Sequence, residues 1–319
     1  MSSFRLRISA ALFGAGILFG AFPLAAQRTL ANTGGSLPSV SPDGRHIAFN
    51  AVRDGKLDTY VIRSDGAGET RLAATSENDG APDWIGSGVL TWRRVRDTTV
   101  VDVLPVPDAR GASGPQLQSA VHAVVVRPPS DAREVRATRD GRRILFTRGD
   151  WRQSRISTSN LDGSDLRDVT PAGVRAFNPA WSPDARRIAF TTADSAFHLA
   201  VAVMDADGAN FRIVARLDSA EGSPQWPAWS PDGKRLAIQA GKYSREHPDR
   251  NTAHIWIVDV ATARATKLSP HARPYLDETP SWFPDGTRIA FQSDRTGIMH
   301  VWTMKVDGSD ARQITSWSP

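Results

Sequence analysis

The chain has 319 residues, 40% hydrophobic and 23% charged, with a net charge of +5 and no cysteine. That length can bury a core of its own, and without cysteine neither disulfides nor thiolate metal sites can support the fold. Lysine and arginine are interleaved with acids instead of gathered in a stripe, so nucleic acid is not an expected partner.

The chain begins with Arg5 and Arg7, an apolar run from Ile8 to Phe22, and then Pro23-Leu24-Ala25-Ala26-Gln27. A basic start, a short apolar run and small residues after it predict a secretory signal peptide over residues 1–26, cut after Ala26. The run is shorter than the ~20 residues a helix needs to cross a bilayer, and no second run of that kind follows. The expected location is therefore periplasmic or secreted, with no membrane span after the signal is removed. Residues 27–36 form a short N-terminal segment. Within it, Arg28-Thr29-Leu30-Ala31 looks like the last strand of a repeat and is a candidate for closing a ring.

From residue 37 to 319 one unit recurs: Trp-Ser-Pro-Asp-Gly, two variable residues, then Ile-Ala-Phe. Three copies are clear, at Trp181 to Phe190, Trp229 to Ile238 and Trp282 to Phe291. Val40-Ser41-Pro42-Asp43-Gly44 with Ile47-Ala48-Phe49 lacks only the tryptophan, and Ala137 to Phe146 keeps the turn and the strand. A worn copy runs from Trp84 to Trp92. Six units at spacings of 44 to 53 residues have the length of propeller blades.

The chemistry of the unit agrees with its spacing. Proline presets φ, aspartate caps the backbone and glycine takes the exit geometry, so Ser-Pro-Asp-Gly is a turn between a first and a second strand. In Ile-Ala-Phe the outer pair faces one way and the alanine the other. Both faces are apolar, as a sheet sandwiched between neighbours requires. A second tight turn follows at Ser64-Asp65-Gly66, Leu161-Asp162-Gly163, Ala206-Asp207-Gly208 and Val306-Asp307-Gly308, a strong hairpin signal. A last short strand closes each unit. The predicted fold is all-β, a six-bladed propeller of four-stranded antiparallel blades.

These turns, together with Gln292-Ser293-Asp294-Arg295-Thr296-Gly297 and the hairpin at Asp205 to Gly208, resemble the propeller repeats of TolB. Those repeats are shared with the non-catalytic propeller of prolyl oligopeptidase-like peptidases. The resemblance implies a periplasmic role in the Tol-Pal system, the propeller binding a peptidoglycan-associated lipoprotein. TolB also has a small α/β domain before its propeller, and only about ten residues precede the first blade here, so that domain is expected to be missing. The peptidases need a following hydrolase domain, but no Gly-x-Ser-x-Gly elbow occurs; Gly111-Ala112-Ser113-Gly114-Pro115 comes nearest and ends in proline.

Function is expected on the face opposite the Ser-Pro-Asp-Gly turns, where the connections vary in length and chemistry. The most individual stretches are the loop Gly241 to Arg250, the connector Ser223 to Pro227 and the connector His271 to Glu278. All belong to the fifth blade or its junctions. Their aromatic, basic and acidic residues suit a protein-binding surface: Trp226, Tyr243, Glu246, His247, Asp249, Arg250, His271, Arg273, Tyr275, Asp277 and Glu278.

Neither a cofactor nor a metal is expected. His254 and His300 occupy equivalent strand positions, but the other units place Asp58, Arg155 and Ala200 there, which defeats a histidine ring. The Asp-Gly turns lack the spaced acids of a calcium loop. Glu77, Asp79, Asp277 and Glu278 are candidates for the channel mouth. The expected function is a non-catalytic protein-interaction module at the cell envelope, with an envelope protein or lipoprotein as partner. The alternative is a ligand-binding or lytic propeller acting on a peptide or an acidic glycan.

Overall fold

The computed structural model describes residues 33–72, 77–95, 98–106, 131–150, 152–218, 220–244, 251–268 and 275–317. Six antiparallel sheets follow one another along the chain, each built from strands consecutive in sequence. The first blade is β1 (Ser36–Val40), β2 (His46–Arg53), β3 (Lys56–Arg63) and β4 (Thr70–Arg71). The worn second unit is β5 (Asp83–Ile85), β6 (Gly88–Val95) and β7 (Thr98–Pro105). The third is β8 (Arg133–Ala137), β9 (Arg143–Arg148), β10 (Arg155–Asn160) and β11 (Arg167–Asp168). The fourth is β12 (Arg175–Trp181), β13 (Arg187–Ala193), β14 (Leu199–Asp205) and β15 (Arg212–Ala215). The fifth is β16 (Ser223–Trp229), β17 (Arg235–Lys242), β18 (Thr252–Asp259) and β19 (Ala265–Lys267). The sixth is β20 (Asp277–Trp282), β21 (Arg288–Ser293), β22 (His300–Lys305) and β23 (Arg312–Gln313).

The core lies between blades. Ile47 and Phe49 face the sixth blade with Phe283, Ala290 and Val301, while Ala48 faces the second blade with Trp84 and Val89. The same rule holds around the ring. Ile188 and Phe190 pack back on the third blade and Ala189 forward on the fifth; Ile289 and Phe291 pack back on the fifth. The two faces of Ile-Ala-Phe are thus the two seams of a blade. Burying each of these large side chains contributes about 1.5–3 kcal/mol. The worn blade has Thr91 where four others have phenylalanine and the fifth has Ile238, and its hydroxyl bonds Thr59 across the seam at 3.2 Å.

The Ser-Pro-Asp-Gly turns join first and second strands, as their chemistry predicts. Ser41 donates its hydroxyl to Asp43 at 2.6 Å, and Asp43 in turn accepts the Arg45 N–H at 3.0 Å. Thr138 with Asp140, Ser182 with Asp184 and Ser230 with Asp232 repeat the device. In those three turns the hydroxyl bond holds the aspartate below the usual carboxylate range.

Residues Ser223 to Pro227, expected as a connector, are instead part of strand β16, the innermost strand of the fifth blade. Asp277 and Glu278 likewise begin β20. Proline argues against a strand because it has no N–H to give, and these strands accommodate it through a bulge. Leu37, Glu134, Asn178, Trp226 and Thr279 each take a left-handed φ between 47° and 54°, at the register shift of their strand. In four of the five the next residue is proline. The strained backbone is fastened across the seam: Leu37 N–H donates to Gln292 and Thr279 N–H to Gln239, both at 2.8 Å, and Asn178 N–H to Glu134 at 2.7 Å.

The candidate closing strand at residues 28–31 lies outside the described residues. Just after it, Thr33 N–H donates to Val52 O and Gly35 N–H to Met299 O, so the segment before β1 touches the first and the last blade. From the other end, Trp317 lies under the Arg53 guanidinium at 4.1 Å.

Candidate functional site

The six innermost strands, β1, β5, β8, β12, β16 and β20, enclose a cavity of about 210 Å³ that opens among the Ser-Pro-Asp-Gly turns, with Pro42, Arg139, Pro183 and Pro231 at its rim. One residue per strand forms a ring of its wall: Ser39, Asp83, Arg136, Ala180, Ala228 and Ser281. Four are small. Charge enters only where the second and third blades meet.

The tryptophan of the repeat uses this ring to lock blades together. Trp84 Nε1–H donates to Ser39 O at 2.8 Å, Trp229 to Ala180 O at 3.2 Å and Trp282 to Ala228 O at 3.1 Å. Where the repeat has no tryptophan, the ring residue of the preceding blade carries a side-chain acceptor for the backbone. Val40 N–H donates to Ser281 Oγ at 3.0 Å, and Ala137 N–H to Asp83 Oδ2 at 3.1 Å. Asp83 also accepts the Trp84 N–H, and burial raises its pKa against the pull of Arg136. The seam between the third and fourth blades is different. Trp181 Nε1 is buried without a hydrogen-bond partner among the described residues.

A second polar cluster joins the fifth and sixth blades on the opposite side. Tyr243 donates to Glu278 Oε1 at 2.7 Å, Gln292 donates to Glu278 Oε2 at 2.8 Å, and Gln239 donates to Tyr243 Oη at 3.1 Å. Burial lifts Glu278 to about 6, opposed by the Tyr243 and Gln292 bonds and helped by the charges of Asp294 and Asp277. Burial, followed by the Glu278 charge, pushes the Tyr243 hydroxyl well up.

The expected site residues fall into three groups. Tyr243 and Glu278 are brought together; Asp277 beside them accepts from Ser293 at 2.7 Å and pairs with Arg295. Tyr275 contributes its carbonyl to the Ala253 N–H at 3.0 Å. Trp226 lines the cavity. Glu246, His247, Asp249, Arg250, His271 and Arg273 lie outside the described residues.

Asp79, Asp277 and Glu278 are not part of the lining of this cavity. All three are buried, Asp79 accepting the Thr59 N–H at 2.9 Å and raised to about 6 by burial. Glu77 pairs with Arg93 at 3.4 Å. Among the described residues no three His, Asp or Glu side chains are grouped to hold a metal. His300 is buried against the Thr315 hydroxyl at 3.0 Å, and burial, with Arg53 nearby, lowers its pKa.

The channel residues Asp83, Arg136, Arg139 and Trp181 were not among the expected site residues. The signal for two of them lies in the repeat: the place after the bulge proline is serine or alanine in four copies and charged in the other two.

The TolB beta propeller domain matches residues 143–318, more than half of the chain. An uncharacterized protein of Agrobacterium fabrum is 39% identical over 61 residues, which span 19% of this chain and 20% of that relative. The chain thus matches about a fifth of that curated relative's length. The fold is similar to that of a putative TolB from Agrobacterium tumefaciens, at 18% identity and a TM-score of 0.61, covering 77% of this chain and 84% of that one. It is also similar to an oligogalacturonate lyase solved with manganese, at 14% identity and a TM-score of 0.53, covering 86% and 75%. By its repeats, its six seams and this match, the chain belongs to the TolB β-propeller domain family.

Proposed function

We propose that this chain is a non-catalytic protein-interaction propeller of the cell envelope, periplasmic or secreted after cleavage behind Ala26, that docks an envelope protein or lipoprotein beside its fifth and sixth blades. The observation that supports this reading is the Tyr243–Glu278 bond. It joins Tyr243 of the Gly241 to Arg250 loop and Glu278 of the His271 to Glu278 connector at one buried point between the fifth and sixth blades. A rigid scaffold that carries variable connections is a common arrangement for recognition.

The test is a pull-down from a membrane extract with the purified chain, repeated with residues 245–250 replaced by glycine and serine. The natural chain is expected to recover an envelope protein that the variant recovers poorly. Equal recovery by both forms would remove the docking surface, and turnover of a pectin or peptide panel by the purified protein would remove the non-enzymatic reading. A peptide or acidic-glycan ligand is the second reading, favoured by the arginines at the channel rim.

A further inference from the structure

The seam between the third and fourth blades departs from its neighbours in three ways that coincide in the channel. Trp229 and Trp282 each have their indole N–H bonded to a carbonyl and a guanidinium over the ring, Arg187 at 4.6 Å and Arg235 at 5.0 Å. Among the described residues Trp181 has neither a bonded N–H, a property it shares in the cavity lining with Trp226, nor the equivalent stacked arginine, because Arg143 turns away to Thr158 at 2.7 Å and to Asp165. The ring residue it would otherwise meet is Arg136. That guanidinium makes one long hydrogen bond, to Pro82 O at 3.4 Å. Three residues on, Arg139 stands exposed at the rim in the place that proline holds in other copies. Neither arginine has a carboxylate within ion-pair distance among the described residues. Asp140, next to Arg139, is engaged by its own turn through Thr138 and the Arg142 N–H. Asp83, the one acid of the ring, is spent on two backbone N–H groups.

From these features we propose that Arg136, Arg139 and the Trp181 N–H form a carboxylate-binding subsite in the channel mouth, and that its occupant is an acidic side chain or chain end of a peptide. Two cationic forks and one buried neutral donor match the acceptor-only chemistry of a carboxylate. The size and lining favour a peptide over a sugar acid. A cavity of about 210 Å³ is smaller than the roughly 300–1,000 Å³ of small-molecule pockets and suits a single side chain better than an oligosaccharide. Pro38, Pro82, Pro179, Pro227 and Pro280 in the wall have no N–H for hydroxyl groups. The subsite lies on the turn side, away from the proposed docking surface at the fifth blade, and does not depend on it.

The test uses the full chain with indole-¹⁵N tryptophan, titrated at low salt with a hexaglutamate peptide, a hexaglutamine peptide and trigalacturonate. The Trp181 indole signal is identified by its loss in Trp181→Phe. Hexaglutamate is expected to move this signal while those of Trp229 and Trp282 stay in place, which also reports an intact ring. Arg139→Gln, a change on an exposed turn, and Arg136→Gln are each expected to weaken binding about tenfold, as loss of a charged hydrogen bond does. An equal shift with hexaglutamine, unchanged affinity in both arginine variants, or no shift with any probe would overturn the subsite. Binding of trigalacturonate but not hexaglutamate would overturn its assignment to a peptide.

Discussion

Glu278 pairs in its strand with Gln292 just as Ser36 pairs with Asn50, Arg133 with Thr147 and Gln225 with Gln239. Equivalent places in the repeat therefore hold very different side chains, and only at Glu278 is a carboxyl fully enclosed. Its rise from 4.5 to about 6 means that the folded chain holds this proton more tightly than the unfolded one. Stability from this group is present below the unfolded value and is lost as pH rises through about 6, by about 2 kcal/mol. Tyr243→Phe removes one of the two donors to the ionised group. It is expected to cost about 1–3 kcal/mol at pH 7.5 and less at pH 5, where the carboxyl is protonated. Urea unfolding at the two pH values measures this, and an equal loss at both would show that the Tyr243–Glu278 bond does not depend on the charge. Glu278 was legible as a candidate by its place beside Asp277. Its burial was not, because that depends on Tyr243, just past the end of β17, and Gln292 of β21 both reaching it.

Among the elements, the innermost strands differ most from what their residues suggest. Ser-Pro-Gln-Trp-Pro carries two prolines and reads as a connector, yet it forms most of β16, because the bulge at Trp226 and its place at the sheet edge make the missing N–H harmless. The turns and second strands follow their local chemistry closely. The tryptophan that ends the inner strand is legible as part of the repeat, but its carbonyl partner, roughly 45 to 54 residues earlier, is not. Trp229→Phe and Trp181→Phe separate the two kinds of seam. The first loses a hydrogen bond and the second loses none among the described residues, so Trp229→Phe is expected to be more destabilising by about 1 kcal/mol. Comparable unfolding midpoints and slopes for the two variants would contradict this.

At the scale of the molecule, apolar clusters fill all six seams, including the one between the sixth and first blades. The ring is drawn shut by Val40 on Ser281, Gly35 on Met299 and Arg53 on Trp317. Two sets of carboxyls then act on stability in opposite directions. Turn aspartates such as Asp140, Asp184 and Asp232 have lowered pKa values, so their contribution is present above the unfolded value and lost as pH falls through the folded one. Asp79 and Glu278, both near 6, act against folding as pH rises from about 4 to 6. Thermal unfolding across pH is therefore expected to show a maximum at about pH 4, above which the two raised carboxyls lower stability. Asp79→Asn should flatten the decline above it; a decline of unchanged steepness would mean that Asp79 is not its source.

The sequence by itself determined the blade count, the turns that join first to second strands and the opposite orientation of isoleucine with phenylalanine and of alanine. All three are short-range properties: turn chemistry and a period of two act within about ten residues. Which side chains share the channel, which carboxyls lose their water and which tryptophans bond their N–H across a seam were decided only by the closed ring. Those properties arise across seams, between residues about 40 to 250 positions apart, whose pairing follows from how neighbouring blades meet and not from either blade alone.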